Sequence, residues 1–172
     1  MVFIRSWWVV AAARRGAAQV GKLPAVASQV RGIEHLVLLS ATGTTTEAPE
    51  EGFGLFGGFS AMAAERKTLR SKKREFRLAS GKVPYTIVRV GKFDSKAEGR
   101  GLSFQQGDTT TGTISREDAA KVCIQAALGL RPEKALAFEV VADGPAGAAS
   151  LSPEKIDEAL RALKEVWSKQ LS

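Results

Sequence analysis

One cysteine, one histidine and one tyrosine, at Cys123, His35 and Tyr85, are all this sequence offers of three side chains that often carry nucleophilic, metal-binding or proton-transfer chemistry. A lone cysteine excludes an intrachain disulfide framework and fits a reducing compartment. Cys123 falls on the apolar face of the helix predicted around it, so a small buried hydrophobe is expected there rather than a nucleophile. His35 stands near the start of a predicted strand. The reactive end of a parallel strand is its carboxyl end, so a surface residue is expected and not a catalytic base. No metal site is expected. No apolar run reaches the length needed to span a bilayer, so no transmembrane segment is predicted. Acidic residues are also absent before Glu34, whereas Arg5, Arg14, Arg15, Lys22 and Arg31 all precede it. An acid-free, arginine-bearing start reads as a plastid or mitochondrial transit peptide, although Ser6 and Ser28 are its only serines. A secretory reading of WWVVAAA is opposed by the two arginines that directly follow it.

What is present is enough for one core. The chain has 172 residues, 44% of them hydrophobic, which is the length of one ordinary domain. Residues 33–39 form a nearly continuous apolar run, and 83–90 form a second, β-branched one that ends at Gly91. Ser115 stands three residues before Asp118 and just ahead of Ala119, Val122, Cys123, Ala126 and Ala127, a spacing that predicts an N-capped helix. Residues 134–141 form a further strand. Ser152 and Pro153 then open a helix whose stripe runs Ile156, Leu160, Leu163, Val166, Trp167 and on to Leu171. Earlier in the chain, residues 2–13 read as a strand leading into a helix, and residues 17–30 as a helix broken near Pro24. Residues 59–79 read as a helix with Met62, Leu69, Phe76 and Ala79 on its apolar side and a dense row of Lys and Arg between 65 and 77. That row is expected to be a solvated face, with grip on nucleic-acid or membrane phosphates as the alternative. It lacks interleaved aromatic residues for base stacking.

The segment VPYTIVRVG, followed by GDTTTGTISREDAAKVC, resembles the atypical short-chain dehydrogenase/reductase group, the NmrA-like NAD(P)-binding proteins, and in particular their plant plastid branch. The resemblance extends back to HLVLLSATG and forward to LAFEVV, covering roughly residues 30–145, the carboxyl-terminal half of such a domain. It implies an α/β fold: a partial Rossmann-like sheet of three or four mostly parallel strands, near 2–12, 33–40, 83–90 and 135–142, with flanking helices. The amino-terminal glycine-rich βαβ unit is lacking, since residues 1–32 carry no Gly-x-Gly-x-x-Gly and Gly16, Gly21 and Gly32 are too widely spaced. Residues 1–32 are accordingly an extension, either a transit peptide or a remnant strand and helix, and residues 33–172 are the domain part.

The resemblance also implies sites. At Ser40, Ala41 and Thr42 it places the carboxyl end of a strand beside the nicotinamide, with Ser40 as the candidate catalytic residue, a hydroxyl able to donate to a developing alkoxide. The alternative for Ser40 is ordinary turn chemistry. Val90, Gly91 and Lys92 are the remaining candidates for cofactor contact, although Val90 stands where relatives often have proline. Arg89 anchors a carboxylate or orients the loop. Gly52, Gly54 and Gly57 match Gly-x-Gly-x-x-Gly but stand about a dozen residues past a strand end, so a flexible loop is expected there rather than a phosphate cradle. The Tyr-x-x-x-Lys pair of ordinary family members has no tyrosine in the 59–79 helix. Lys67 has no partner, and Tyr85 lies inside a strand, where packing accounts for it, so proton relay by the usual pair is excluded.

The expected function is an NAD(P)-binding protein, at most a weak oxidoreductase or redox-linked binder, holding NADP or NAD weakly. The alternative is a catalytically silent scaffold or assembly factor. Nucleic-acid binding through 65–77 is the third reading. A homodimer or a partner protein is expected at a free sheet edge near 2–12 or 33–40. The expected location is the chloroplast, with the cytoplasm as alternative.

Overall fold

The computed structural model describes residues 6–10, 33–44, 58–130, 135–144 and 152–163, with the backbone alone in 6–10 and 58–68. The expected helix over 17–30, the glycine-rich loop at 52–57 and the last helix beyond residue 163 lie outside the described residues.

The runs of apolar and β-branched residues form the strands anticipated for them: β1 (Ser6–Val10), β2 (Ile33–Ala41), β3 (Tyr85–Val90) and β7 (Ala135–Ala142). They pair in parallel in the order β1-β2-β3-β7, with β5 (Leu102–Gln105) added antiparallel to β7. Two short strands, β4 (Lys92–Phe93) and β6 (Thr113–Ile114), pair with each other apart from the main sheet. Sequence reasoning took the stretch between Gly91 and Ser115 as loop. The four residues LSFQ become a strand only because the flank of β7 offers a row of backbone partners. The free edge expected at 33–40 is absent. β2 pairs with β1 on one side and β3 on the other, so β1 and β5 end the described sheet.

Helices cover both faces. Because side chains alternate along a strand, each strand splits between two cores. Leu36 and Leu38, Tyr85 and Ile87, and Ala135 and Ala137 pack with Leu78 of α1 (Gly58–Ala79). Val37, Val88, Val90, Leu136, Phe138 and Val140 pack with α2 (Arg116–Gly129) and α3 (Pro153–Arg161) through Val122, Cys123, Ala126, Ile156 and Leu160. Ser115 caps α2 as its spacing predicts, accepting the Asp118 N–H at 2.9 Å. Ser152 stands at the cap of α3 without a side-chain bond, ahead of Pro153.

Two expectations are corrected. His35 is not on the surface. It is 2% exposed, with Nε2 2.9 Å from Thr86 Oγ1, because β2 is an interior strand flanked by β1 and β3. The apolar side expected for α1 also faces the wrong way: Leu69 and Phe76 are 49% and 59% exposed, while Ser71, Glu75 and Leu78 are buried. Arg70, Lys72, Lys73 and Arg77 are exposed, as the solvated-face reading requires, but the helix packs through a stripe containing a serine and a carboxylate.

Gly91 owes its identity to a crossing of chains. A Cβ at this position would stand 2.0 Å from the Gly112 carbonyl oxygen, which also accepts the Lys92 N–H at 2.9 Å. Both colliding groups are backbone and neither can rotate away. Gly91→Ala is therefore expected to cost about 3 kcal/mol. Urea denaturation of the two proteins checks this.

Candidate functional site

The ends of β2 and β3 meet at one rim. Ala41 is in register with Val90, and the Thr42 N–H donates to the Val90 carbonyl at 3.1 Å. This brings Ser40, Ala41 and Thr42 side by side with Val90, Gly91 and Lys92, the six cofactor candidates. Ala41, Thr42, Gly43 and Gly91 are half-buried, Lys92 is exposed, and Ser40 and Val90 are buried. Gly43 has φ +79°, and among the described residues a Cβ there would meet nothing within 4 Å. The described residues thus supply a parallel-sheet strand-end rim of the kind where α/β folds seat ligands.

Immediately beneath the rim, on the α1 face, lies a buried ionic centre. Ser40, Arg89 and Glu139 are register neighbours on β2, β3 and β7 and therefore point to one side. Arg89 donates through Nη2 to Glu75 Oε2 at 2.8 Å and through Nε to Oε1 at 3.4 Å, a two-pronged pair with both side chains 4% exposed. Its Nη1 stands 3.8 Å from Glu139 and 4.0 Å from Asp108. The Ser40 hydroxyl donates to Glu75 Oε1 in a short hydrogen bond. Thr44 Oγ1 bridges, 3.2 Å from Glu75 Oε2 and 3.3 Å from Asp108 Oδ2. Asp108 Oδ1 accepts the Gly43 N–H at 2.7 Å.

The charges set one another. Burial works against the Arg89 cation, but the hydrogen bonds and charge of Glu75, reinforced by Asp108 and Glu139, hold its pKa above the ordinary value. Burial pushes the Glu139 carboxyl above its usual 4.5, with the Asp108 backbone and Arg89 offsetting part of the rise and the neighbouring carboxylates adding to it. Arg89 is thus the cation that anchors carboxylates, one of the two roles open to it from sequence. The single proton of Ser40 is given to Glu75, so its hydroxyl has no further proton to donate.

Glu75, Asp108 and Glu139 were missed by sequence reasoning. Glu75 sits among seven basic residues and read as part of a solvated face. Its burial is decided by which side of α1 meets the sheet. A signal did exist for Glu139, as for Arg89: Arg89 in YTIVRV and Glu139 in LAFEVV are charges inside strands that are otherwise buried, and such charges need partners.

The remaining reactive side chains are quiet. Cys123 is 2% exposed and burial pushes its thiol up to about 12. Tyr85 lies at the opposite end of β3 from the rim, 4% exposed, and burial followed by the Glu75 charge raises its pKa.

Three outcomes are expected. Arg89→Met strands the buried carboxylates and costs about 3–5 kcal/mol in urea denaturation. Cys123 in the native protein resists a thiol reagent at pH 8 and reacts once denatured. Glu139 has a folded pKa above its unfolded one, so its contribution is present at low pH and lost as pH rises through the raised value. Glu139→Gln is therefore expected to gain stability relative to the parent as pH climbs from about 4.5 toward 8, seen as a growing difference in Tm.

Comparison with known proteins agrees with the sheet. A family model described as NAD(P)H-binding matches residues 6–128. Sanguinarine reductase of Eschscholzia californica is 32% identical over 142 residues, which is 80% of this chain and 45% of that protein. An uncharacterized chloroplastic protein of Arabidopsis thaliana is 34% identical over 106 residues, 58% of this chain and 30% of that protein. The chain therefore spans less than half the length of either. Among solved structures, the anaerobillin reductase ChuY of Escherichia coli O157:H7 shares the fold with a TM-score of 0.55 at 19% identity, over 76% of this chain and 61% of that one. A mostly parallel sheet sandwiched by helices and a family model matched over most of the length lead to one conclusion: this chain belongs to the NAD(P)H-binding family, on a Rossmann-like α/β fold.

Proposed function

We propose that this chain supplies the nicotinamide side of an NAD(P)H site, with Ala41–Gly43 and Gly91–Lys92 as the contact rim, and that alone it holds the dinucleotide weakly. The observation that carries this reading is the juxtaposition of the β2 and β3 ends, backed by the ionic centre, with nothing within 4 Å of a Cβ at Gly43 among the described residues. Dinucleotide phosphates are usually gripped by a glycine-rich turn between a first strand and helix, and residues 1–32 contain no such spacing. Losing several charge-assisted hydrogen bonds at about 1.5–3 kcal/mol each lowers affinity by orders of magnitude. A bound NAD(P)H would supply hydride at the rim. The chain's own part is to orient the ring and exclude water there.

Any reduction uses a proton donor other than a Tyr-x-x-x-Lys pair. A second reading, a catalytically silent scaffold or assembly factor that keeps the fold, is favoured by one observation: the Ser40 proton is committed to Glu75. The chloroplast is the proposed location, supported by the chloroplastic relative. A partner protein or a second copy is the proposed occupant of the sheet edge at β1.

Isothermal titration with NADPH and NADH is expected to give a Kd weaker than about 100 μM. A low-micromolar value would show that another part of the chain grips the phosphates. Oxidation of NADPH with a quinone or carbonyl acceptor favours the reductase, and an inert, folded protein favours the scaffold.

A further inference from the structure

The loop after β5 runs from the flank of β7 to the turn that follows β2. Gln106 Nε2 donates to the Ala137 carbonyl at 3.0 Å, Asp108 reaches Gly43 and Thr44, and a Cβ on Gly112 would lie 3.0 Å from Val141. At its centre Asp108 adopts φ 60°, the only left-handed non-glycine residue among those described, directly after Gly107 at φ 120°. A side chain is costly in that region and persists where its surroundings over-determine it. Here they do. The carboxylate is 4% exposed, accepts the Gly43 N–H and faces Thr44 Oγ1 and the Arg89 guanidinium.

We infer that Asp108 is a positioning residue for the dinucleotide rim. It touches no ligand itself and acts through Gly43 and Thr44, the turn that follows the β2 half of the rim. Nothing else described fixes this turn so directly. Thr42 is held by the Val90 carbonyl, and past it the Gly43 amide and the Thr44 hydroxyl are held by Asp108, with Glu75 sharing Thr44. The backbone of Asp108 is held in a conformation suited to glycine, and what the aspartate adds there is its carboxylate. This inference rests on the proposed function, because the turn matters to a ligand only if the rim receives one.

The test uses the full chain labelled with 15N, with two variants. Asp108→Gly accepts the left-handed backbone but removes the latch, so it is expected to remain folded. Asp108→Asn keeps an oxygen for the Gly43 N–H. Amide exchange at Gly43 is expected to quicken about tenfold in Asp108→Gly and to stay within about twofold of the parent in Asp108→Asn. Titration with NADPH, followed by the amide shifts of Thr42, Gly43 and Gly91, is expected to show about tenfold weaker binding for Asp108→Gly and near-parental binding for Asp108→Asn. If the parent shifts and Asp108→Gly binds equally well, the positioning role is overturned while the rim stands. If Gly43 exchange is unchanged in Asp108→Gly, the latch itself is overturned. If the parent shows no shifts at these amides, the proposed rim fails, and with it the role assigned to Asp108.

Discussion

The pairing of Arg89 with Glu75 is the interaction on which the upper half of this structure depends. A guanidinium planted in the middle strand of a sheet with helices on both sides cannot reach water, and a cation left alone there would be prohibitively costly. The fold answers with one carboxylate from each neighbouring element: Glu75 from α1, Glu139 from the adjacent strand and Asp108 from the loop after β5. Each of those elements is thereby tied to β3. With three carboxylates around one arginine, acids outnumber the base, and the raised pKa of Glu139 is the relief. Buried ion pairs of this sort add little net stability compared with a well-packed apolar core, but removing one member is severe, so they act as specifiers of arrangement.

That role divides α1 and the sheet face beneath it into two halves. Toward the amino ends of the strands, Leu36, Leu38, Ile87, Ala135 and Ala137 meet Leu78 in an ordinary hydrophobic contact. Toward the carboxyl ends, where Ser40, Arg89 and Glu139 replace apolar side chains at the same pleat, the contact is polar and directional. The opposite face is mainly apolar, from Val37 through Phe138 to Ile156 and Leu160, with the His35–Thr86 hydrogen bond near its amino end. The ionic centre is thus confined to the carboxyl-end half of the α1 face. Geometry must be held there to fractions of an ångström, while hydrophobic packing holds the rest.

Two residues of the rim have structural reasons of their own. Ser40, expected from resemblance to be a substrate-binding hydroxyl, donates its proton to Glu75. Gly91, equally a candidate for cofactor contact, has a sufficient structural reason in its crossing with Gly112. Neither fact removes these residues from a ligand's reach. Both show that their identities would be required even with no ligand bound.

From the sequence alone, the parallel strands at 33–41, 85–90 and 135–142, the capped start of α2 at Ser115, the inert burial of Cys123 and the absence of a tyrosine from α1 were all legible. Each depends on local pattern: β-branched runs, a capping spacing, helical periodicity, or a residue that is simply missing. Family resemblance put both Ser40–Thr42 and Val90–Lys92 among the cofactor candidates, and the direct pairing of their strands was decided by the fold. Tertiary structure alone decided the rest. It chose the face of α1, turning Leu69 and Phe76 outward and Glu75 inward, because the inner face had to satisfy Arg89 rather than maximise apolar contact. It buried His35 because β2 is interior and not an edge. It made a strand of Leu102–Gln105 by offering it the flank of β7, and it brought Asp108 across to Gly43, 65 residues away in sequence. A charge in a strand announces that it needs a partner, but only the folded chain can say which distant carboxylate arrives.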